Sequence, residues 1–332
     1  MKFLGRLSPQ DPFFTYLREA IFPQLLSENP IHHFRVFQFP ASNAVFLYEE
    51  SHSRKKVIGK FFQRPGKDPQ HAWDRAWNEW RNLHFLRQIG LDQTHFQIPQ
   101  ALGIARHINS VVIEEYCPGQ SLSKILNQYL TERQDDLLYA RLTDLAWFLA
   151  KLHNHTAGPG TVQFHEQFAY FDKITARLQH RHRIGDAPLR EIHHYREHWQ
   201  QASCMYSDQE VLIHGDATPS NFLFAEPRKI TAIDLERMKR ADRAYDLGMI
   251  AGEMQHHFLR NTHHAAQAEP FIGHFLWEYS THFPDRQAAF AAITQRVPFY
   301  MGMTLLRIAR NSWLDWSYSQ TLVQAALSVL RR

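Results

Sequence analysis

Short runs in which polar and apolar side chains alternate occupy the segment from Phe34 to Phe62. The runs FRVFQFP, AVFLYEE and KVIGKFF are separated by residues Pro40–Asn43 and by the charged turn Ser51–Lys56. Alternation with a period of two places the apolar side chains of each run on one face, toward a core, which is typical of strands joined by hairpins. The pattern therefore predicts antiparallel strands over this segment.

A second periodicity begins at His71, where apolar residues recur every three or four positions as far as Ile89. That spacing places them on one side of a helix, and Gly90 suits the position that follows a helix C-terminus. We therefore predict one amphipathic helix after the strands, with further strands over Gln97–Ile104 and Ser110–Tyr116. The apolar positions that define the helix are Trp73, Trp77, Trp80, Leu83 and Leu86.

The pattern changes after Cys117-Pro118-Gly119, because helical periodicity replaces alternation. A polar, histidine-rich stretch follows at Gln163–Gln201. The predicted fold class is α+β and bilobal, with an antiparallel sheet and one helix in residues 1–115 and a mainly helical lobe in residues 116–332. The helical patterns of the second lobe are Ser121–Tyr129, Asp135–His155, Phe290–Ile293 and Met301–Ile308.

Composition narrows the class of protein. The chain has 332 residues, 44% hydrophobic and 21% charged, which suits a folded protein with a full core. A net charge of +4 is modest for this length, so nucleic-acid binding is not predicted. No run approaches about eighteen apolar residues, and the start MKFLGRLSPQDPFF lacks an apolar signal region, so we predict no membrane span and no export. Cys117 and Cys204 form no CxxC pattern, which fits a reducing compartment, and a cytoplasmic location is expected.

The most informative chemistry lies in residues Val211–Glu236, which read VLIHGDATPSNFLFAEPRKITAIDLE. An apolar strand leads into a polar loop with Asp216, Asn221 follows in the same loop, and a second apolar strand ends at Asp234. Phosphoryl transfer needs positioning and charge neutralisation more than covalent help. One carboxylate that orients a hydroxyl, together with oxygen ligands for Mg²⁺, meets those needs. The order and spacing therefore predict a phosphoryl-transfer site.

These residues resemble the aminoglycoside phosphotransferase and choline kinase superfamily. HGDATPSN matches the family's His-Gly-Asp-x-x-x-x-Asn loop, and IDLE, which contains Asp234, matches its Ile-Asp-x-Glu segment. VVIEEYCPGQSL, LAKLH and YDLG are further matches, and the resemblance extends from about Ser42 to Glu253. It implies a protein-kinase-like fold and the transfer of phosphate from ATP to a small molecule.

The resemblance implies a role for each matched residue of the loop and the following strand. Asp216 is expected to accept a hydrogen bond from the acceptor hydroxyl and to take its proton late in transfer. Asn221 and Asp234 are expected to supply oxygen ligands to Mg²⁺. Glu236 is expected to assist through a water or a second metal.

The nucleotide is expected to contact the N-terminal lobe. Lys60 matches the strand lysine that contacts the α and β phosphates, and Glu79 lies on the predicted helix at a spacing that allows an ion pair with it. Protein kinases carry glycines in the turn that covers the phosphates, whereas here that turn has none, and Ser42 or Asn43 is expected to donate instead. Main-chain contacts to adenine are expected from the hinge residues Glu115, Tyr116 and Cys117.

Other histidines and acids have weaker signals. His214 is expected to be architectural, and Asp246 in AYDLG is expected to hold the backbone of the loop from a following helix. HYREH at His194–His198 fits the H-x-x-E-H pattern of inverted zinc peptidases, but the sequence marks no third ligand. Neither GxSxG nor GxxxxGK(S/T) occurs.

The sequence thus predicts an ATP:alcohol phosphotransferase, an enzyme that uses ATP and Mg²⁺ to phosphorylate a small molecule such as an amino alcohol or a sugar. From Ala241 to Arg332 seven acidic residues stand against eight basic ones, which disfavours polycationic acceptors. Two other functions stay open: a nucleotide-binding regulatory pseudokinase, suggested by the glycine-free turn, and a sugar kinase acting on an envelope glycolipid, suggested by Ile233–Arg237. A protein kinase is disfavoured because no APE-like ending follows Asp234. The acceptor and the oligomeric state are left open.

Overall fold

The structure is a computed structural model, and it describes residues 1–26, 33–39, 44–92, 94–225 and 228–332. Ser42 and Asn43, predicted for the phosphate turn, lie outside the described residues. In the part of the chain that is described, none of the helices combines the length and the apolar character needed to cross a bilayer.

The chain divides into two compact units. Unit 1 comprises Met1–Gly119 and Thr231–Arg237, and unit 2 comprises Gln120–Ile230 and Met238–Arg332. Unit 1 carries an antiparallel sheet and unit 2 is mainly helical, so the predicted α+β class is confirmed. Because the segment 231–237 belongs to unit 1, Asp234 lies in the same unit as the strands of the N-terminal region.

An antiparallel sheet forms the centre of unit 1. The strands and helices of this unit are, in chain order, β1 Lys2–Arg6, α1 Pro12–Tyr16, β2 Phe34–Gln38, β3 Ala44–Glu50, β4 Lys56–Phe61, α2 Pro69–Gln88, β5 Phe96–Gln97, β6 Ala101–Ala105 and β7 Val111–Glu115. The sheet has the order β1-β2-β3-β4-β7-β6, and each neighbouring pair is antiparallel. The predicted hairpin strands are confirmed as β2, β3 and β4. The single strand predicted over Gln97–Ile104 is wrong, since Pro99, which has no N–H to donate, separates β5 from β6.

Helix α2 has nearly the predicted bounds, and its buried face agrees with the prediction at Leu83 and Leu86 but not at Trp77. Trp77, which we placed on the apolar face, is 47% exposed. The buried residues Ala72, Ala76 and Glu79 form a stripe with the same spacing as the tryptophans but offset by one residue. Periodicity alone does not choose between two such stripes. The consequence is that Glu79 points into the interior.

Helices dominate unit 2. Its elements are, in chain order, β8 Gln120–Ser121, α3 Leu122–Glu132, α4 Asp135–His155, α5 His165–His180, α6 Asp186–Gln201, β9 Val211–Ile213, β10 Phe222–Ala225, β11 Lys229–Ala232, β12 Lys239–Ala241, α7 Ala244–Thr262, α8 Glu269–Ser280, α9 Arg286–Thr294, α10 Val297–Ala309 and α11 Trp316–Leu330. Strand β11 spans the point at which the chain passes from unit 2 to unit 1. The helix predicted over Asp135–His155 is confirmed, and the histidine-rich stretch Gln163–Gln201 forms α5 and α6.

Helices α7 and α10 pack closely because α7 has glycines at the contact. A Cβ atom on Gly248 would lie 2.3 Å from the Cβ of Tyr300, and one on Gly252 would lie 2.9 Å from the Cβ of Thr304. No other residue fits there without displacing its neighbour. This close packing brings Glu253 of α7 to Arg307 of α10, and their side chains form an ion pair at 2.6 Å.

Candidate active site

In unit 1, Lys60 of β4 lies among buried carboxylates. Its Nζ atom is 2.5 Å from Oε1 of Glu79 and 2.9 Å from Oε1 of Glu114, and none of these three side chains is more than 6% exposed. Glu114 was missed in the sequence, although alternation along β7 places it on the sheet face of Val112, the residue opposite Lys60. Lys60 therefore has two buried partners instead of the one that its spacing to Glu79 indicates.

Three carboxylates share the single ammonium group of this cluster, because Asp234 also acts on it. Burial by itself lowers the pKa of Lys60, but Glu114, Glu79 and Asp234 outweigh it and raise that pKa above its ordinary value. Burial also raises the pKa of Glu79 well above its usual range, against the opposing effect of Lys60. The cluster has a surplus of negative charge, so it favours the binding of a cation or a proton.

One face of α2 holds the segment that carries Asp234. Arg75 binds Glu236 in a bidentate manner, with Nη2 to Oε1 at 2.6 Å and Nε to Oε2 at 3.1 Å. Asn82 donates from Nδ2 to the carbonyl oxygen of Leu235 at 2.7 Å. Arg75 and Asn82 lie on the same helix face as Glu79, at i, i+4 and i+7, and their polar character on a buried face is a signal that we missed. Arg75 uses one lone pair on each oxygen of Glu236, and the role predicted for Glu236, through a water or a second metal, would use the remaining ones and stays a prediction.

Asp234 itself has an unusual backbone conformation. Its φ angle is +65°, in the left-handed region that residues other than glycine rarely adopt. Among the described residues its carboxylate makes no hydrogen bond, in contrast to the neighbouring Glu236. A residue whose backbone is held in a sparsely populated conformation and whose carboxylate has oxygens to spare is a candidate for binding a ligand.

In unit 2, Asp246 at the start of α7 holds the HGDATPSN loop. Its Oδ2 accepts from the backbone N–H of His214 at 2.6 Å, and its Oδ1 accepts from the N–H of Gly215 at 3.0 Å. His153, which we missed within LAKLH, places Nε2 at 3.2 Å from Oδ2 of Asp246 and Nδ1 at 2.9 Å from the Tyr279 hydroxyl. Burial lowers the pKa of His153, ahead of the opposing effect of Asp246. A neutral His153 therefore donates to Asp246 from Nε2 and accepts from Tyr279 at Nδ1.

Hydrogen bonds within the loop hold Asp216 and Asn221 in place. Asn221 donates from Nδ2 to the carbonyl oxygen of Asp216 at 2.8 Å, and the N–H of Asp216 donates to Nδ1 of His214 at 3.3 Å. His214 is fully buried, which agrees with an architectural position. The amide nitrogen of Asn221 is used within the loop. Its Oδ1 atom accepts only a long hydrogen bond of 3.4 Å from the Ser220 hydroxyl, so it can bind a further group.

A cavity of about 320 Å³ lies against the same loop. Its described lining includes loop residues, one carboxylate, Glu253, and one guanidinium group, Arg260. Burial lowers the pKa of His256, another lining residue, to about 4, so its ring is neutral at neutral pH. The volume is at the lower end of the range for small-molecule sites. The lining residues are Ser123, Leu126, Asn127, Thr218, Pro219, Ser220, Glu253, His256, His257, Arg260 and Asn261.

The remaining predicted residues occupy less informative surroundings. Glu115 ends β7 and its N–H donates to the carbonyl oxygen of Gln100 at 2.9 Å, Tyr116 lies with its ring 5.4 Å from Nζ of Lys56, and Cys117 is buried. Their contacts to adenine stay a prediction. The histidines of HYREH are exposed on α6. Across the described ranges, no group of three or more histidine, cysteine, aspartate or glutamate side chains is arranged to hold a metal ion.

The sequence profile of the phosphotransferase enzyme family matches residues 33–284, which is more than half of the chain. The chain therefore belongs to this family of phosphotransferases. The resemblance to the aminoglycoside phosphotransferase and choline kinase superfamily is confirmed. No curated protein sequence matches the chain.

Solved structures of aminoglycoside phosphotransferases and of an ethanolamine kinase share its fold. An ADP-bound aminoglycoside phosphotransferase APH(2'')-Ib is 16% identical with a TM-score of 0.59, over 94% of this chain and 97% of that one. The GDP complex of aminoglycoside 2'-phosphotransferase-IIIa is 16% identical with a TM-score of 0.61, over 96% and 99%. An ethanolamine kinase from Plasmodium vivax is 16% identical with a TM-score of 0.62, over 96% and 88%. At these identities the likeness establishes the kinase-like fold, while the acceptor has to be inferred from this chain's own residues.

Proposed function

We propose that this protein transfers the γ-phosphate of ATP to a hydroxyl group of a small molecule. The observation that carries the proposal is the HGDATPSN loop, which Asp246 anchors by two backbone N–H groups and in which Asn221 supports Asp216. Asp216 thus has a fixed backbone, and its side chain is 15% exposed, so it remains accessible from solvent. Such preorganisation is what a positioned general base needs.

Each proposed residue has one task in the transfer. Lys60, held by Glu79 and Glu114, contacts the nucleotide phosphates and offsets their charge. The carboxylate of Asp216 accepts a hydrogen bond from the acceptor hydroxyl and directs its oxygen toward the γ-phosphorus. The new oxygen–phosphorus bond forms while the bond from that phosphorus to the bridging oxygen of ADP breaks. The ADP leaves with that electron pair, and the hydroxyl proton passes to Asp216.

The donor atoms of Asn221 and Asp234 fit Mg²⁺. Both offer oxygen, the ligand type that this hard cation prefers, and neither oxygen set is saturated by hydrogen bonds among the described residues. Mg²⁺ is usually held by one or two protein oxygens together with phosphates and waters, so a larger cluster of protein ligands is not expected. Bound there, it would neutralise phosphate charge. We propose Asn221 and Asp234 as its ligands.

The test is nucleotide turnover by purified protein with a panel of hydroxylated metabolites. Because solved relatives are complexes with ADP and with GDP, both ATP and GTP should be supplied with Mg²⁺. We expect Asp216→Asn to lower turnover by about 10²- to 10⁴-fold, since the base is lost, while nucleotide affinity is retained. Asp136→Asn, an exposed residue of α4, is the matched control and should leave turnover unchanged.

Two results would contradict the proposal. Undiminished turnover in Asp216→Asn would remove Asp216 from the reaction. Nucleotide binding without release of ADP or GDP, across a broad panel of acceptors, would favour the regulatory pseudokinase instead.

A further inference from the structure

A guanidinium group lies next to the proposed base. Nη1 of Arg307 on α10 is 3.5 Å from Oδ1 of Asp216, and its Nη2 is 2.6 Å from Oε1 of Glu253. Glu253 is the one carboxylate among the described residues that line the cavity beside the loop. Because Arg307 already binds it, Glu253 is poorly placed to receive an ammonium group of an acceptor.

A second guanidinium group follows three residues later, on Arg310, the C-cap residue of α10. Arg310 donates from Nη2 to the hydroxyl of Tyr170 at 3.5 Å, and its guanidinium carbon is 5.8 Å from the centre of that ring. Its Nη1 atom is buried and makes no hydrogen bond within the described residues. A buried N–H group without an acceptor is costly and rare in folded proteins, so such a group points to an unseen ligand or water.

Neighbouring arginines show a different use of the same side chain. Arg181 at the end of α5 donates to the carbonyl oxygen of Arg310 at 2.8 Å, and Arg183 donates to the carbonyl oxygen of Leu314 at 2.8 Å. Both therefore satisfy carbonyl groups near helix ends, which is a structural role. Arg310 has no such acceptor among the described residues, so stabilisation of a helix end does not account for it.

Positive charge is in excess around Arg310. Burial lowers its pKa from the ordinary value, Arg177 and Arg307 lower it further, and Tyr170 opposes them. Arg307 is shared between Asp216 and Glu253, but the groups that act most strongly on Arg310 include no carboxylate. An anion at Arg310 would relieve this repulsion and would supply the missing hydrogen-bond acceptor.

We propose that Arg310, with Tyr170 and Arg177, forms an anion subsite that binds a phosphate or carboxylate group of the acceptor. An arginine presents two parallel N–H groups that match either anion. That the bound anion is part of the acceptor rests on the proposed function, whereas the presence of an anion site does not. The substrate class is then a hydroxylated metabolite with a negatively charged group, and amino alcohols and aminoglycosides are excluded.

The direct test is a calorimetric titration of the full-length protein, without nucleotide, with inorganic phosphate, acetate and ethanolamine. We expect phosphate or acetate to bind and ethanolamine not to bind. Arg310→Gln should weaken anion binding by about 10- to 100-fold, the loss expected for charge-assisted hydrogen bonds. Arg190→Gln, an exposed arginine of α6, is the matched control and should bind the anion as the wild type does.

Arg310→Lys and Tyr170→Phe keep the proposal testable if Arg310→Gln does not fold. Lysine keeps the charge but lacks the two parallel N–H groups of arginine, so Arg310→Lys should bind the anion with intermediate affinity. Tyr170→Phe removes the hydroxyl and should weaken anion binding slightly. Equal anion affinity in the wild type and in these Arg310 variants, or binding of ethanolamine alone, overturns the proposal. The outcome is separate from turnover: if anions bind at Arg310 but no acceptor yields ADP or GDP, the proposed function fails and the anion subsite stands.

Discussion

Lys60 in unit 1 and Asp216 in unit 2 are charged groups in largely buried surroundings, but their neighbours differ in sign and in kind. Lys60 is surrounded by side-chain carboxylates, with Glu79 and Glu114 in direct contact. Asp216 has its backbone fixed by hydrogen bonds and a guanidinium group, Arg307, beside its carboxylate. Carboxylates outnumber the ammonium group around Lys60, whereas the carboxylate of Asp216 shares one cation, Arg307, with Glu253.

The difference indicates which ligands each region prefers. A lysine that is already paired twice does not need an anion for its own stability, and the extra carboxylates favour a cation nearby. Near Asp216 the guanidinium group of Arg307 is already shared between Asp216 and Glu253. An anion is favoured three residues further on, at Arg310, because the groups that act most strongly on it include no carboxylate. The two regions also depend on different interactions, buried ion pairs in one and backbone hydrogen bonds in the other. That dependence is open to test.

The largest effect on stability is expected from Lys60→Met. This change leaves Glu79 and Glu114 buried without a counter-charge, which should cost about 3–5 kcal/mol in the free energy of unfolding. Urea unfolding followed by tryptophan fluorescence measures it. Lys239→Met is the matched control, because Lys239 pairs with Glu166 at 3.1 Å on an exposed surface and should contribute less than about 1 kcal/mol.

Glu114→Gln refines the same prediction. If unpaired buried carboxylates cause the destabilisation of Lys60→Met, the double variant Lys60→Met, Glu114→Gln should be more stable than Lys60→Met, since one buried charge is removed. Equal stabilities of Lys60→Met and the wild type would show that the cluster is not held by its ion pairs.

A smaller loss is expected from Asp246→Asn. The amide offers one acceptor oxygen where the carboxylate offers two, so either His214 or Gly215 loses its charge-assisted hydrogen bond, at a cost of about 1.5–3 kcal/mol. Urea unfolding measures the loss, and amide hydrogen exchange in the loop should accelerate. Asp172→Asn, which weakens a partly exposed pair with Arg196 far from the loop in sequence, is the control. Unchanged exchange in the loop would argue against Asp246 as its anchor.

The smallest effect concerns pH and His256 in the cavity lining. Burial, with Arg260, His257 and Arg307, lowers its pKa from 6.5 to about 4. Between these values the unfolded chain binds a proton that the folded protein does not, so His256 reduces stability as the pH falls from 6.5 toward 4. His256→Asn should flatten the dependence of the unfolding free energy on pH by up to about 1.4 kcal/mol per pH unit. An identical dependence in variant and wild type would contradict this assignment.

Local patterns were enough to predict much of the fold. Alternation located β2, β3 and β4, and helical periodicity located α2 and α4. The predicted face of α2 was right at Leu83 and Leu86, which are buried, and wrong at Trp77, which is exposed. Two stripes of equal spacing compete in the first half of the helix, and only packing against the rest of unit 1 selects the one with Glu79. The single strand predicted across Pro99 was wrong, because the alternation of side chains does not reveal that proline has no backbone N–H to donate.

The sequence by itself determined the class of chemistry, because Asp216, Asn221 and Asp234 belong to two short motifs whose spacing is set by a loop and a strand. Tertiary structure decided their surroundings. Glu114 beside Lys60, His153 beside Asp246, and Arg307 beside Asp216 come from distant parts of the chain. Such partners have no fixed spacing in sequence, since they meet only when strands pair and helices such as α7 and α10 pack closely. The charge that surrounds each group, and with it the preferred ligand, is therefore a property of the fold.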